Sequence, residues 1–249
     1  MSLGRIPLNQ TTPPLSKRTA LITGATRGIG LAIARALAAE QCNLIVTGRD
    51  QSALSRISKT LSSAKIKILA QPCDIRDPHS VDELFRAIRT KFKRIDILIN
   101  NAGIAHTNLA IEKLPLQLWQ DVIDTNLTGT FLITQAALAL MPPGGSIVNN
   151  LSVAATRVFS GVAAYVASKH GALALTNTLR EELRPKGIRV IALRPGATDT
   201  DIWNTFWPEA PRKKMMSPAT VATAVIDALK LPANATVENL EIMPTAGVL

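Results

Sequence analysis

The chain predicts a single α/β domain in which a doubly wound parallel sheet of about seven strands carries helices on both faces. Three observations lead there. Short apolar, β-rich runs alternate with segments of helical periodicity from near the start to near the end of the 249 residues, the pattern of repeated strand–helix–strand units. The strand-like runs are continuously apolar, as burial on both faces requires. No Ser-, Gly- or Pro-rich linker and no internal repeat divides the chain.

The predicted strands cover residues 19–23, 44–47, 66–70, 95–99, 146–150, 189–193 and 240–243. Between them, 3.6-residue periodicity marks helices over 30–40, 80–91, 117–141, 163–184 and 218–231. Residues 1–17 read as a flexible tail and 18–249 as the domain. Pro208, Pro211 and Pro218 interrupt periodicity enough to predict a mobile loop near 197–217.

Composition removes several function classes. At 47% hydrophobic and 18% charged residues, the chain can bury a core and is neither disordered nor fibrous. No apolar run approaches the roughly 20 residues that span a bilayer, and the N-terminus lacks a signal-peptide pattern, so a soluble cytoplasmic protein is expected. Cys42 and Cys73 have no metal-ligand spacing and fit a reducing compartment. His79, His106 and His170 are scattered, and no metal is expected. The net charge of +10 favours phosphorylated or acidic partners by long-range attraction. Its densest run, Arg86, Arg89, Lys91, Lys93 and Arg94, falls late in a predicted helix, where cations suit the dipole. No aromatic residues alternate with it as a base-stacking platform requires, so nucleic acid is not an expected partner.

The first strand runs into Thr23-Gly24-Ala25-Thr26-Arg27-Gly28-Ile29-Gly30, with a helix directly behind. Glycines there permit a tight turn and close backbone approach, so that the helix N-terminus can receive a pyrophosphate. A carboxylate at the end of the second strand would bind an adenosine ribose and repel a 2′-phosphate. This chain has Val46-Thr47-Gly48-Arg49 instead. With Arg27 inside the turn, two guanidinium groups stand where a 2′-phosphate would be bound, which predicts NADP(H) rather than NAD(H).

Tyr165 and Lys169 are spaced i, i+4 at the start of a predicted helix and so share one face. A phenol titrates near pH 10, and a nearby ammonium would lower that value toward the range of a general base. Ser152 closes the fifth strand, where its hydroxyl can hydrogen-bond a substrate oxygen. Asn101, Ala102 and Gly103 follow the fourth strand, Asn126 lies in the next helix, and Pro195, Gly196, Thr198 and Thr200 follow the sixth. All fall near the carboxyl edge of the sheet, so one cleft can collect them.

In this order, from Leu21 to Met243, these motifs resemble the short-chain dehydrogenase/reductase family. The resemblance implies that Tyr165 is the general acid in reduction and the base in oxidation. It implies that Lys169 lowers the Tyr165 pKa and binds the nicotinamide ribose, that Ser152 polarises the substrate carbonyl, and that Asn126 holds a relay water behind Lys169. Gly24, Thr26, Arg27, Gly28, Ile29, Gly30, Arg49, Asp74, Ile75, Asn101, Ala102 and Gly103 are further implied coenzyme contacts, with Gly24 and Ile29 bounding the pyrophosphate and nicotinamide ends and Asn101 on the adenosine side. Within that set Asp74 would touch the adenine. Pro195, Gly196 and Thr198 are implied at the nicotinamide, Thr200 is a further implied coenzyme contact, and a homotetramer or dimer is the implied assembly. The chain departs from the family at Leu151, where a second serine is common.

The loop after Pro195 holds Trp203, Phe206 and Trp207, two of the chain's three tryptophans among them, which suggests an apolar or ring-bearing carbonyl or alcohol. The resemblance also implies an alternative substrate, a 3-oxoacyl group on acyl carrier protein, an acidic partner that the basic charge would suit. Residues 140–145 offer that partner no cation, leaving Lys186 and Arg189. A non-enzymatic NADP(H) sensor or scaffold is the other alternative, although Ser152, Tyr165 and Lys169 are all intact.

Overall fold

The computed structural model describes residues 15–61 and 65–248. Seven strands, β1 (Thr19–Thr23), β2 (Asn43–Gly48), β3 (Ile68–Pro72), β4 (Ile97–Asn100), β5 (Ser146–Asn150), β6 (Arg189–Pro195) and β7 (Asn239–Ile242), form one parallel sheet in the order β3-β2-β1-β4-β5-β6-β7. The helices are α1 (Gly28–Ala39), α2 (Gln51–Leu61), α3 (Pro78–Lys91), α4 (Leu116–Ile123), α5 (Gly129–Leu138), α6 (Ala163–Leu183), α7 (Trp203–Phe206) and α8 (Pro218–Leu229).

Because side chains alternate across a strand, each strand feeds two cores. Ala20, Ile22, Leu44, Val46, Ile97 and Ile99 point to the layer of α1, α2 and α8, where Ile33, Leu37, Leu54, Val221 and Val225 meet them. Leu21, Ile45, Leu98 and Ile147 point to the layer of α3, α5 and α6, against Leu84, Phe85, Ile88, Ile133 and Leu179. Helices α3 and α8 start on side-chain caps. Asp77 accepts from the backbone N–H of His79 and Ser80, and Ser217 from that of Thr220, each followed by a proline whose missing N–H costs nothing in the first turn.

Several boundaries differ from those the sequence predicts, for identifiable reasons. The third strand begins at Ile68 and the fourth at Ile97, because Ile95 bonds Leu140 rather than a neighbouring strand. The edge strands are not continuously buried: β3 is intermediate throughout and β7 alternates, since each has only one neighbour. Helix α2, amphipathic through Leu54, Ile57 and Leu61, was not among the predicted helices. The helix expected over 117–141 is two helices joined by a π-helical turn, Asp124–Thr128, so Asn126 lies in that turn rather than in a regular helix. Leu15, assigned by sequence to the tail, is buried in the α1 core. Residues 1–14 of the predicted tail lie outside the described residues. The stretch 197–217 contains α7 and is tied by Arg212, which donates to Thr200 O, Asp199 and Asn204 at 2.7, 3.0 and 2.8 Å. Among the described residues no helix is long and apolar enough to cross a membrane.

Candidate active site

A cleft of about 1190 Å³ opens at the carboxyl ends of the strands, from the glycine turn to the loop after β6. The strand order places it: β1 and β4 are neighbours whose connections leave in opposite directions, the point where open parallel sheets bind ligands.

The glycine turn is built for close approach. Gly24 has φ +62°, and a Cβ there would also stand 2.8 Å from Ala102 Cα. At Gly30 a Cβ would collide with the Asn101 amide and the Gly24 carbonyl, which bond one another across that space. Helix α1 begins at Gly28, and Arg27, its N-cap residue, makes no side-chain cap. The first N–H groups of α1 are therefore left for a ligand, with the positive end of the dipole behind them. Gly28 and Ile29 line the cleft at this point. These features fit a dinucleotide pyrophosphate.

Thr26, Arg49, Asp74 and Ile75 line the same end. Arg27 is exposed and pairs with Asp201 at 3.6 Å, an open contact worth about 0–1 kcal/mol that an incoming phosphate can displace. Arg49 is exposed and acts on Asp74. Hydrogen bonds from the Arg76 guanidinium, at 2.7 and 3.0 Å, hold the Asp74 carboxyl below the usual range against the opposing effect of burial. Asp74 thus reaches the cleft with its charge already engaged. Asn101 spends both amide hydrogens on Thr23 O and Gly24 O, at 3.0 and 3.1 Å. It shapes the turn from behind.

Ser152 lies two residues beyond β5, accepts from Ala154 N at 3.1 Å, and hydrogen-bonds Tyr165 closely enough to favour the phenolate. Burial opposes this and is the larger effect, so the Tyr165 pKa lies above its ordinary value. Lys169, buried one turn further along α6, donates to Asn150 O at 3.1 Å, and its Nζ stands 5.6 Å from the Tyr165 ring centroid. Burial pulls the Lys169 ammonium down to about 8. The i, i+4 spacing does bring the ammonium to the Tyr165 ring, but in the free protein desolvation prevails at the hydroxyl and the phenol is raised rather than lowered.

Asn126 is buried and directs its side-chain hydrogen bonds away from Tyr165 and Lys169. It accepts from Ile104 N at 2.8 Å and donates to Ile104 O and Ser168 Oγ, both at 2.9 Å, while Ser168 donates to Tyr165 O. It locks the loop after β4 onto α6. Gly103 keeps open the space between them: a Cβ there would meet Asn126 Oδ1 at 3.2 Å and Lys169 Nζ at 3.6 Å. Ala102 and Gly103 line the cleft, as do Pro195, Gly196, Thr198 and Thr200 after β6. Leu151 is buried and bonds β6 through its backbone, so an apolar side chain is suited there.

Arg76 and Asn150 were missed by sequence reasoning, and Phe206 was read only as part of the aromatic loop. Arg76 pairs with the Asp74 carboxylate. Phe206 packs edge-on against Tyr165, centroids 5.7 Å apart. Asn150 donates to Asn101 Oδ1 at 2.8 Å and leaves its own Oδ1 buried and unpaired among the described residues. Of the two missed residues Asn150 had a signal, a second amide at the end of an otherwise apolar strand.

A glycine turn, a buried Tyr–Lys pair and a serine at one parallel-sheet crevice are matched by a family model described as short chain dehydrogenase over residues 18–211. The chain belongs to the short-chain dehydrogenase family. It is 38% identical to a 3-oxoacyl-[acyl-carrier-protein] reductase of Synechocystis sp. over 76% of this chain and 77% of that one. It is also 38% identical to a 3beta-hydroxysteroid dehydrogenase of Mediterraneibacter gnavus, over 73% of this chain and 66% of the relative. Its structure is similar to that of an alcohol dehydrogenase from Thermococcus sibiricus complexed with 5-hydroxy-NADP. That match has TM-score 0.85 and 31% identity, and covers 92% of this chain and 97% of the other. As a member of this family the protein is an oxidoreductase.

Proposed function

We propose that the protein transfers a hydride between NADP(H) and the carbonyl or alcohol carbon of an apolar small molecule, with Tyr165 moving the proton. The observation that carries this reading is the convergence of Ser152, Tyr165 and Lys169 in the cleft that also holds the α1 N-terminus. NADPH supplies the hydride when bound. The residues of this chain do the rest. Ser152 hydrogen-bonds the carbonyl oxygen and fixes it beside Tyr165. Tyr165, kept protonated by burial, donates its proton as negative charge develops on that oxygen. Lys169 lies close enough to stabilise the phenolate left behind and to bind the nicotinamide ribose. Asn126 joins the proton path only through a water beyond Lys169, since its side-chain hydrogen bonds go to Ile104 and Ser168.

Arg27 and Arg49 favour the 2′-phosphate form of the coenzyme. A dinucleotide phosphate of the same class is bound in the Thermococcus sibiricus enzyme. Pro195, Gly196 and Thr198 border the nicotinamide, and Thr200, beside Gly28, borders the coenzyme nearer the glycine turn. The aromatic loop and the likeness to a hydroxysteroid dehydrogenase support an apolar substrate. Buried, unpaired Cys42 and Cys73 suit the reducing cytoplasm. Half-exposed Phe131 on α5 beside Leu175 and Leu179 on α6 suits a homo-oligomer, dimer or tetramer.

The acyl-carrier-protein reading has the Synechocystis relative and the net charge in its favour, but it loses one of its two cations. Arg189 is turned inward onto Ser146 Oγ, Leu229 O and Leu231 O. The test is a panel of ketones and a 3-oxoacyl carrier thioester, followed by NADPH consumption. Turnover of free apolar ketones is expected. Turnover of the carrier thioester alone would replace this reading with the second.

A further inference from the structure

Phe206 is held against Tyr165 by a chain of contacts that leads back to β6. Thr198 Oγ1 donates to Gly196 O at 3.0 Å, and Trp203 Nε1 donates to Thr198 O at 2.9 Å. Trp203 meets Phe206 edge-on, centroids 5.3 Å apart at 88°, and Phe206 meets Tyr165 at 5.7 Å and 64°. Arg212 braces the same loop through Thr200, Asp199 and Asn204. Phe206 cannot retreat from Tyr165 without disturbing Trp203 and its hydrogen bond. It is therefore a fixed wall rather than an adaptable one.

A carbonyl bonded to Ser152 and Tyr165 must send one substituent along that wall, because Phe206 packs on the ring that carries the reacting hydroxyl. Phe159, Trp203 and Trp207 line the same cleft. A ring conjugated with the carbonyl lies in its plane and can offer a face or edge to Phe206, an aromatic contact worth something beyond buried area. A saturated chain gains only the area.

We infer that Phe206 is a specificity-determining residue and that it selects aryl ketones, or the corresponding aryl carbinols, over aliphatic ketones. This rests on the carbonyl-reductase reading above. The test compares kcat/KM for acetophenone and 2-octanone in wild type, Phe206→Leu and Phe206→Tyr, with the NADPH dissociation constant and Tm measured alongside. In Phe206→Leu, the acetophenone to 2-octanone ratio of kcat/KM is expected to fall about 3- to 10-fold, with coenzyme affinity unchanged. Phe206→Tyr keeps the ring and should keep the preference. Equal losses on both ketones, or an unchanged ratio, would overturn the inference while leaving the reductase reading standing. A wild type that reduces neither ketone would defeat both.

Discussion

The Lys169 ammonium hydrogen-bonds the main-chain oxygen of Asn150 and stands 5.6 Å from the centroid of the Tyr165 ring. It is a buried charge with one neutral partner, and its pKa falls from 10.5 to about 8 as a result. Between those two values the unfolded chain holds more protons than the folded one, so stability rises with pH across that window. Below about pH 8 the folded protein carries the whole cost of charging the amine. Lys169→Met should therefore be more stable than wild type at neutral pH, by up to about 3 kcal/mol. The advantage should shrink above pH 8 and vanish past 10.5. Thermal melts of the free protein against pH check this; a variant no more stable at neutral pH would show that the amine is not desolvated.

Arg27 and Arg49 are expected to set coenzyme choice. Charge-assisted hydrogen bonds contribute about 1.5–3 kcal/mol, so Arg27→Ala with Arg49→Ala should weaken NADPH about 10- to 100-fold and leave NADH nearly unchanged. Asp201→Asn removes only an exposed pair and should shift NADPH affinity by less than about fivefold. Titration of nicotinamide fluorescence reads both. Parallel losses for the two coenzymes would remove the arginines from the 2′-phosphate site.

Gly30→Ala places a methyl group where the Asn101 amide and the Gly24 carbonyl meet. The turn must open to admit it, so NADPH affinity should fall at least about tenfold with a loss of roughly 1–3 kcal/mol in stability. Unchanged coenzyme binding in this variant would mean that the turn does not grip the pyrophosphate.

Asn150 supports the same turn through Asn101. Thr23 O and Gly24 O can only accept, so Asn101 must present its NH2 to them, and Asn150 must present its own NH2 to Asn101 Oδ1. Its buried Oδ1 is the cost of that orientation. Asn150→Leu should weaken NADPH through the turn while leaving kcat at saturating coenzyme within about threefold. A loss confined to kcat would place Asn150 with the chemistry instead.

Legibility in the sequence followed burial. The central strands lie between two cores, so runs such as Leu21-Ile22 and Ile97-Leu98-Ile99 announced themselves. The edge strands and α2, packed on one side, gave weaker patterns. The break inside 117–141 is a change from α to π hydrogen bonding that leaves apolar periodicity almost untouched. In the site, residues placed by local spacing were readable: Tyr165 and Lys169 one helical turn apart, and the glycines before α1. Contacts between distant segments were not. Nothing in the order of residues says that Phe206 lies on Tyr165, that Arg76 pairs with Asp74, or that burial outweighs the Ser152 hydrogen bond at the phenol.

Single-turnover oxidation of bound NADPH by an accepted ketone, in wild type and Tyr165→Phe, tests the central claim most directly. Loss of the phenolic proton is expected to slow the step about 100-fold or more, with NADPH affinity and Tm unchanged. Turnover by Tyr165→Phe at the wild-type rate would contradict the assignment of Tyr165 as the proton donor.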